Sequence, residues 1–132
     1  MVKIAIVYAK FNPEITSVMV REAIVEVKAN GAKVGAVVGV PGCFEIPLAC
    51  QRLLKRKDVD CVVALGAIIT GGTGHDGLIA DAIAGELLDM GLDFDKHVSL
   101  GILGPKITLK QAKSRAKGYA KRAAIAAIAM SK

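Results

Sequence analysis

The sequence contains few aromatic residues: only 4% of its 132 residues are Phe, Trp or Tyr, and there is no tryptophan. Because 53% are nonetheless hydrophobic, the core must consist of aliphatic side chains and alanine. This hydrophobic share excludes a disordered chain, and the length predicts one domain spanning residues 1–132. So large an apolar share on a small chain also suggests burial against other subunits.

Residues that form disulfides or bind metals are scarce. The cysteines Cys43, Cys50 and Cys61 form no C-x-x-C pair, and each lies in an apolar run, which is typical of core residues in a reducing compartment. With only two histidines, His75 and His97, we expect no metal site. No hydrophobic run reaches the roughly 18 residues of a membrane helix. We therefore expect a soluble, cytoplasmic protein with no membrane partner.

Acidic residues are absent from the last segment: every charged residue from Lys106 onward is basic, in a chain of net charge +6. A basic helix is compatible with nucleic-acid binding, but its only aromatic residue is Tyr119. We favour a solvent-exposed basic face and expect no nucleic-acid partner, although nucleic-acid association remains an alternative. The alanines of this segment fit close packing on a sheet: Ala116, Ala120, Ala123, Ala124 and Ala127.

Four short, nearly continuous apolar runs predict strands that are buried on both faces. Each is followed by a turn and a helical pattern, so we expect an α/β fold, a flavodoxin-like three-layer α/β/α sandwich with a four-stranded parallel sheet. Thr16 and Thr108 are candidate N-caps, and Gly31 and Gly91 are candidate residues just beyond helix ends. The predicted strands are Lys3–Ala9, Lys33–Val40, Asp60–Ile69 and His97–Leu103, and the predicted helices are Ser17–Asn30, Glu45–Lys57, Asp76–Met90 and Leu109–Met130.

Ligands of such sheets bind beyond the carboxyl ends of the strands. The third turn, residues 70–77, is glycine-rich and precedes a helix, which predicts an anion site formed by backbone N–H groups. Gly72, Gly74 and Gly77 also match the dinucleotide fingerprint, but Asp93 precedes the fourth strand instead of ending it. A turn without a ligand remains an alternative.

Three further side chains are candidates at the same edge. His75 follows the glycine-rich turn, and imidazole is a side chain suited to proton transfer near neutral pH, although lone histidines are often surface or capping residues. Glu45 begins the second helix, where it either complements the helix dipole, the reading that spacing favours, or accepts hydrogen bonds from a ligand. Phe11 either stacks on a planar ring or fills a hydrophobic gap.

Together the turns resemble the 6,7-dimethyl-8-ribityllumazine synthase family over essentially the whole chain. The motifs appear in order: Phe11-Asn12 with Ile15-Thr16, then Val40–Pro47, then Gly66–Ile69 with Gly71–His75, then Leu100–Ile102 with Gln111, Ala112 and Arg115. The short Arg115 helix is similar to that of archaeal members. The resemblance implies condensation of 5-amino-6-ribitylaminopyrimidinedione with 3,4-dihydroxy-2-butanone 4-phosphate, with loss of phosphate and water and without a cofactor.

The resemblance also implies the site. His75 would move protons, Arg115 would clamp the phosphate, and Leu100 would come from a neighbouring subunit. Family members are pentamers, some assembled into sixty-subunit shells, so we expect a pentamer, decamer or shell. The remaining implied substrate-binding residues are Phe11, Asn12, Gly42, Cys43, Glu45, Ile68, Ile69, Gly72 and Thr73.

This sequence departs from relatives at two places. Gly72, Gly74 and Gly77 replace larger residues, and Leu100 replaces a phenylalanine of many bacterial members. Two other functions remain open: a non-catalytic flavin- or nucleotide-binding module, and the related archaeal riboflavin synthase.

Overall fold

A computed structural model of the chain describes residues 1–131. Four strands alternate with four helices along the whole of this length. The elements are β1 (Lys3–Ala9), α1 (Pro13–Ala29), β2 (Lys33–Val40), a 3₁₀ turn (Cys43–Glu45), α2 (Ile46–Leu54), β3 (Cys61–Ala67), α3 (His75–Phe94), β4 (Val98–Leu103) and α4 (Leu109–Met130).

The strands form one parallel sheet in the order β2-β1-β3-β4. Helices α1 and α4 cover one face and α2 and α3 cover the other, which confirms the three-layer sandwich. The chain runs outward from β1 to β2 and then crosses back to β3, so the order of strands reverses between β1 and β3. Crevices at such a reversal are the usual ligand sites of open α/β sheets.

The core is aliphatic, as the composition predicts. On one face Ile4, Ile6 and Leu65 pack against α1 and α4. Helix α4 lies very close to β4, because a Cβ built on Gly101 would lie only 3.1 Å from the Cβ of Ala123. Glycine on the strand and alanine on the helix together allow this approach. The five alanines predicted to pack on the sheet are all buried: Ala116, Ala120, Ala123, Ala124 and Ala127.

Helix α1 begins four residues earlier than predicted, and Thr16 is not its N-cap. Asn12 takes that position with a left-handed backbone (φ 63°), and Pro13 occupies the first turn, where its fixed φ suits a helix. Thr16 is instead buried inside the helix and donates to the carbonyl of Asn12 at 3.4 Å. The predicted start at Ser17 is therefore wrong.

Gly91 does not end α3, which continues to Phe94 and is capped by Asp95 at φ 52°. The glycine is explained by close packing, because a Cβ there would lie 3.0 Å from the carbonyl oxygen of Lys96. Helix α2 also ends earlier than predicted, at Leu54, whose carbonyl accepts a hydrogen bond from Lys96 Nζ at 3.1 Å. The predictions for Thr108 and Gly31 are confirmed by a capping box and a left-handed φ of 78°.

Within residues 1–131, no helix combines the length and the apolar character needed to cross a membrane.

Candidate functional site

A cleft of about 690 Å³ lies at the carboxyl edge of the sheet, where the strand order reverses. The turns after β1, β2 and β3 form most of it, and the first residue of α4 completes it. The lining residues are Phe11, Asn12, Gly42, Cys43, Phe44, Glu45, Ala67, Ile68, Ile69, Thr70, Gly71, Thr73, His75, Asp76, Ile79 and Leu109.

The turn after β1 supplies an exposed ring. Asn12 adopts the left-handed conformation that asparagine tolerates, and its Nδ2 donates to the carbonyl of Ala67 at 3.3 Å, at the end of β3. The backbone N–H of Phe11 donates to Pro41 at 3.2 Å. These bonds fix the turn while the Phe11 side chain stays 71% exposed, so the ring is available to a planar ligand.

The turn after β2 places a thiol and a carboxylate in the cleft. Burial raises the pKa of Cys43 to about 11, opposed by a hydrogen bond with the backbone of Ala67 and assisted to a smaller extent by the charge of Glu45, so the thiol is protonated near neutral pH. The position of the Cys43 thiol requires a glycine at residue 66, because a Cβ on Gly66 would lie 2.7 Å from Cys43 Sγ. The Glu45 carboxylate lies over Gly42, with Oε1 3.3 Å from where a Cβ would be.

The turn after β3 leads directly into α3. Gly74 is left-handed at φ 74° and caps the helix without a side-chain hydrogen bond, and His75 is the first helical residue, exposed at the cleft. Backbone N–H groups at a helix start, together with the helix dipole, favour an anion. Gly71 and Thr73 line the cleft, whereas Gly72 does not.

Two other predicted residues lie away from the cleft of their own chain. Leu100 is 48% exposed on the edge strand β4, in a groove with Tyr119 and Arg122. Arg115 is exposed on α4 and lines neither the cleft nor the groove beside Leu100. The structure therefore brings together Phe11, Asn12, Gly42, Cys43, Glu45, Ile68, Ile69, Thr73 and His75, but not Gly72, Leu100 or Arg115.

Sequence reasoning did not assign a role to several lining residues. Phe44, Thr70, Gly71 and Asp76 lie in or beside the predicted turns, so their position alone pointed to the cleft. Ile79 and Leu109 carried no such signal, because their place depends on how α3 and α4 dock on the sheet.

No lysine or arginine lines the cleft among the described residues. Its charged side chains are the carboxylates of Glu45 and Asp76, beside the imidazole of His75. A phosphorylated ligand in this protomer would have backbone N–H groups but no fixed cation. In the same residues 1–131, no three His, Cys, Asp or Glu side chains are grouped so as to hold a metal ion; the expected absence of a metal stays a prediction.

A family model described as 6,7-dimethyl-8-ribityllumazine synthase matches residues 1–132. The chain belongs to this family. It is 49% identical to the 6,7-dimethyl-8-ribityllumazine synthase of Metallosphaera sedula, over 99% of this chain and 87% of that protein. The synthases of Staphylothermus marinus (47%; 93% and 82% covered) and Pyrobaculum calidifontis (42%; 100% and 88%) are also similar.

Membership of the lumazine synthase family confirms the resemblance carried by the four turns, and these three relatives are archaeal, as the short Arg115 helix indicated. Among solved structures, a de novo designed Rossmann fold protein aligns with 92% of this chain and 99% of its own, at 15% identity and a TM-score of 0.41.

Proposed function

We propose that this chain, as a member of the lumazine synthase family, condenses 5-amino-6-ribitylaminopyrimidinedione with 3,4-dihydroxy-2-butanone 4-phosphate in the cleft at the strand reversal. The main support for this proposal is that Phe11, Glu45 and His75 line the same cleft of about 690 Å³. An exposed ring, a hydroxyl acceptor and a proton carrier are what a heterocycle, a ribityl chain and an imine-forming reaction require.

The pyrimidine ring would lie against Phe11, in a pocket lined by Ile68 and Ile69. The 71% exposure of Phe11 supports this role, because a ligand would cover apolar surface that water now contacts. The ribityl hydroxyls would donate to Glu45, beside Gly42. Cys43 would contact the ribityl group as a neutral thiol, because its raised pKa disfavours a thiolate nucleophile at neutral pH.

The phosphate would bind at the start of α3. The family resemblance implies the N–H groups of Gly72 and Thr73 as donors; Thr73 and Gly71 line the cleft, whereas Gly72 does not. Asn12 would hold the carbon skeleton of the same substrate. Because no lysine or arginine of residues 1–131 lines the cleft, we infer that Arg115 reaches the phosphate from another copy of the chain.

Self-association follows from this requirement. We infer that a neighbouring copy supplies Arg115 and Leu100, with a pentamer as the basic unit and a decamer or a shell as larger forms. The half-exposed Leu100 on β4, a strand at the edge of the sheet, supports such a contact. The cytoplasmic location stays a prediction from cysteine usage.

His75 would transfer protons during imine formation and loss of phosphate. These steps gain from orientation and anion binding more than from a strong acid or a cofactor, and the cleft offers both. The experiment is to mix the purified protein with both substrates and to follow the fluorescence of the lumazine. A rate no higher than the spontaneous condensation would reject the function.

His75→Ala should lower that rate by about 100-fold, the usual contribution of a general acid–base residue. The variant should keep the circular dichroism spectrum of the parent. Copurified yellow colour or tight nucleotide binding, with no lumazine formed, would instead favour a non-catalytic binding module.

A further inference from the structure

Asp76 is the one charged side chain of residues 1–131 that is buried, with 8% of its surface exposed. It is the second residue of α3, directly after His75. A carboxylate at this depth requires hydrogen-bond donors, because burying an unpaired charge is costly. Its partners therefore show what the residue holds together.

Asp76 Oδ2 accepts two hydrogen bonds from different turns. One comes from the backbone N–H of Lys106 at 3.1 Å and the other from Thr70 Oγ1 at 3.3 Å. Thr70 in turn donates its backbone N–H to the carbonyl of Ile107 at 2.9 Å. We call this set of contacts, Asp76 with Thr70 and Lys106, the Asp76 junction; it joins the turn after β3 to the turn after β4.

The conformation of Lys106 is part of the junction. Lys106 has a left-handed backbone at φ 60°, which is unfavourable for a side chain of this kind and persists only where the surroundings fix it. The Lys106 N–H is also the main reason that the pKa of Asp76 lies below its ordinary value. Near neutral pH the group is therefore a carboxylate, which only accepts hydrogen bonds.

The first turns of α3 otherwise contact the core through Ile79 and Ala80, which are only partly buried. Gly74 provides no side-chain cap, and the next buried residue of α3 after Asp76 is Ile83. A Cβ built on Gly71, Gly72 or Gly77 would meet no atom within 4 Å, so packing does not hold this turn. Asp76 is the buried side chain of residues 70–77.

We propose that Asp76 is a positioning residue, which holds the imidazole of His75 and the phosphate-binding N–H groups of residues 71–74 in register with the turn after β4 through the Asp76 junction. This inference rests on the proposed function. It assigns Asp76 no contact with the reacting atoms. A misplacement of a catalytic group by about 1 Å can cost about 100-fold in rate, so loss of the Asp76 junction should lower activity.

The test compares Asp76→Ala, which removes the acceptor, with Asp76→Asn, which keeps one oxygen able to accept both hydrogen bonds. Each substrate is varied separately. For Asp76→Ala we expect the KM of the butanone phosphate to rise about tenfold and kcat to fall at least tenfold, while the KM of the pyrimidine stays within about twofold. Asp76→Asn should remain within about threefold of the parent in every constant.

The matched controls are Asp81→Ala and Asp81→Asn, on an exposed position of the same helix, which should leave all constants unchanged. If Asp76 were merely structural, Asp76→Ala would lower the thermal midpoint and the active fraction but leave both KM values at parental levels, and the proposal would be overturned. If Asp76→Ala does not fold, Thr70→Val, rescued by Thr70→Ser, takes its place with the same expected split.

Hydrogen exchange followed by mass spectrometry separates this proposal from the function on which it rests. The segment 70–77 should exchange faster in Asp76→Ala than in Asp81→Ala, and equal rates would overturn the junction whatever the activity. If the unsubstituted protein forms the lumazine no faster than the spontaneous condensation does, the proposed function itself is overturned. The positioning role would then fail with it, even where the exchange rates differ.

Discussion

At the residue scale, the thiol of Cys43 is a test of the cleft's environment. Its pKa, raised to about 11 mainly by burial, leaves on the order of one thiol in a thousand ionised at pH 8. We expect iodoacetamide to alkylate Cys43 far more slowly than a free thiol at pH 8, and the rate to rise steeply as the pH approaches 11. Peptide mass spectrometry measures the rate. Labelling of Cys43 as fast as N-acetylcysteine at pH 8 would contradict the burial.

The close packing of the Cys43 thiol against Gly66 provides a second prediction. A Cβ on Gly66 would lie 2.7 Å from Cys43 Sγ, so Gly66→Ala should destabilise the fold by about 1–3 kcal/mol through overpacking. Shortening the partner, in the double variant Gly66→Ala with Cys43→Ala, should recover most of this loss. Thermal midpoints of the parent, both single variants and the double variant give the coupling. Purely additive effects would show that the two residues do not meet.

At the element scale, the start of α4 is fixed by its own sequence. Thr108 accepts from the N–H of Gln111 at 3.1 Å, and the Gln111 side chain accepts from the N–H of Thr108 at 3.0 Å. Thr108→Ala should therefore lower the free energy of unfolding by about 1 kcal/mol, whereas Thr108→Ser should be close to neutral. Equal stability of the alanine and serine variants in denaturant titrations would count against the capping box.

The contrast between Thr108 and Thr16 shows what the sequence could predict. The capping box of Thr108 uses residues within one helical turn, so it can be recognised from the local sequence. The start of α1 depends on Asn12, whose left-handed backbone is tied to Ala67, 55 residues away. Gly91 was likewise mistaken for a helix end, because its reason is the carbonyl of Lys96 packed against it.

The same distinction holds for the cleft. Parallel topology brings the carboxyl ends of the strands to one edge, so Phe11, Glu45 and His75 were predictable as neighbours. Ile79 and Leu109 were not, because helix docking places them there. The burial of Asp76 was also invisible, since an acid in a first helical turn is ordinarily explained by the helix dipole.

The start of α3 carries a pH prediction. The folded-state pKa of Asp76 is lowered, first by the N–H of Lys106, so its carboxylate stabilises the fold above the ordinary value of 3.8 and this contribution is lost as the pH falls through the lower folded value. We expect the parent to melt above Asp76→Asn at pH 6 and the two midpoints to converge as the pH falls below 3.8. Asp81→Asn should show no such convergence. A midpoint difference that persists at low pH would contradict the charge-dependent bond.

At the scale of the whole molecule, a single chain leaves two features unexplained. In the part of the chain that the structure describes, no lysine or arginine lines the cleft that would take a phosphorylated substrate. Large apolar side chains of α3 also stay in contact with water, with Leu78, Leu88 and Leu92 at least 66% exposed. A contact between copies would answer both, because it covers apolar surface and brings a cation to the phosphate.

Mixed assemblies test whether the cation crosses from one copy to another. His75→Ala and Arg115→Ala chains, carrying different affinity tags, are coexpressed and the assemblies holding both are purified. If Arg115 acts in a neighbour's cleft, about a quarter of the sites in a one-to-one mixture combine an intact His75 with an intact Arg115, so activity should return to about a quarter of the parental rate. If Arg115 serves its own chain, every site retains one defect, and the mixture would be no more active than the mean of the two variants measured alone.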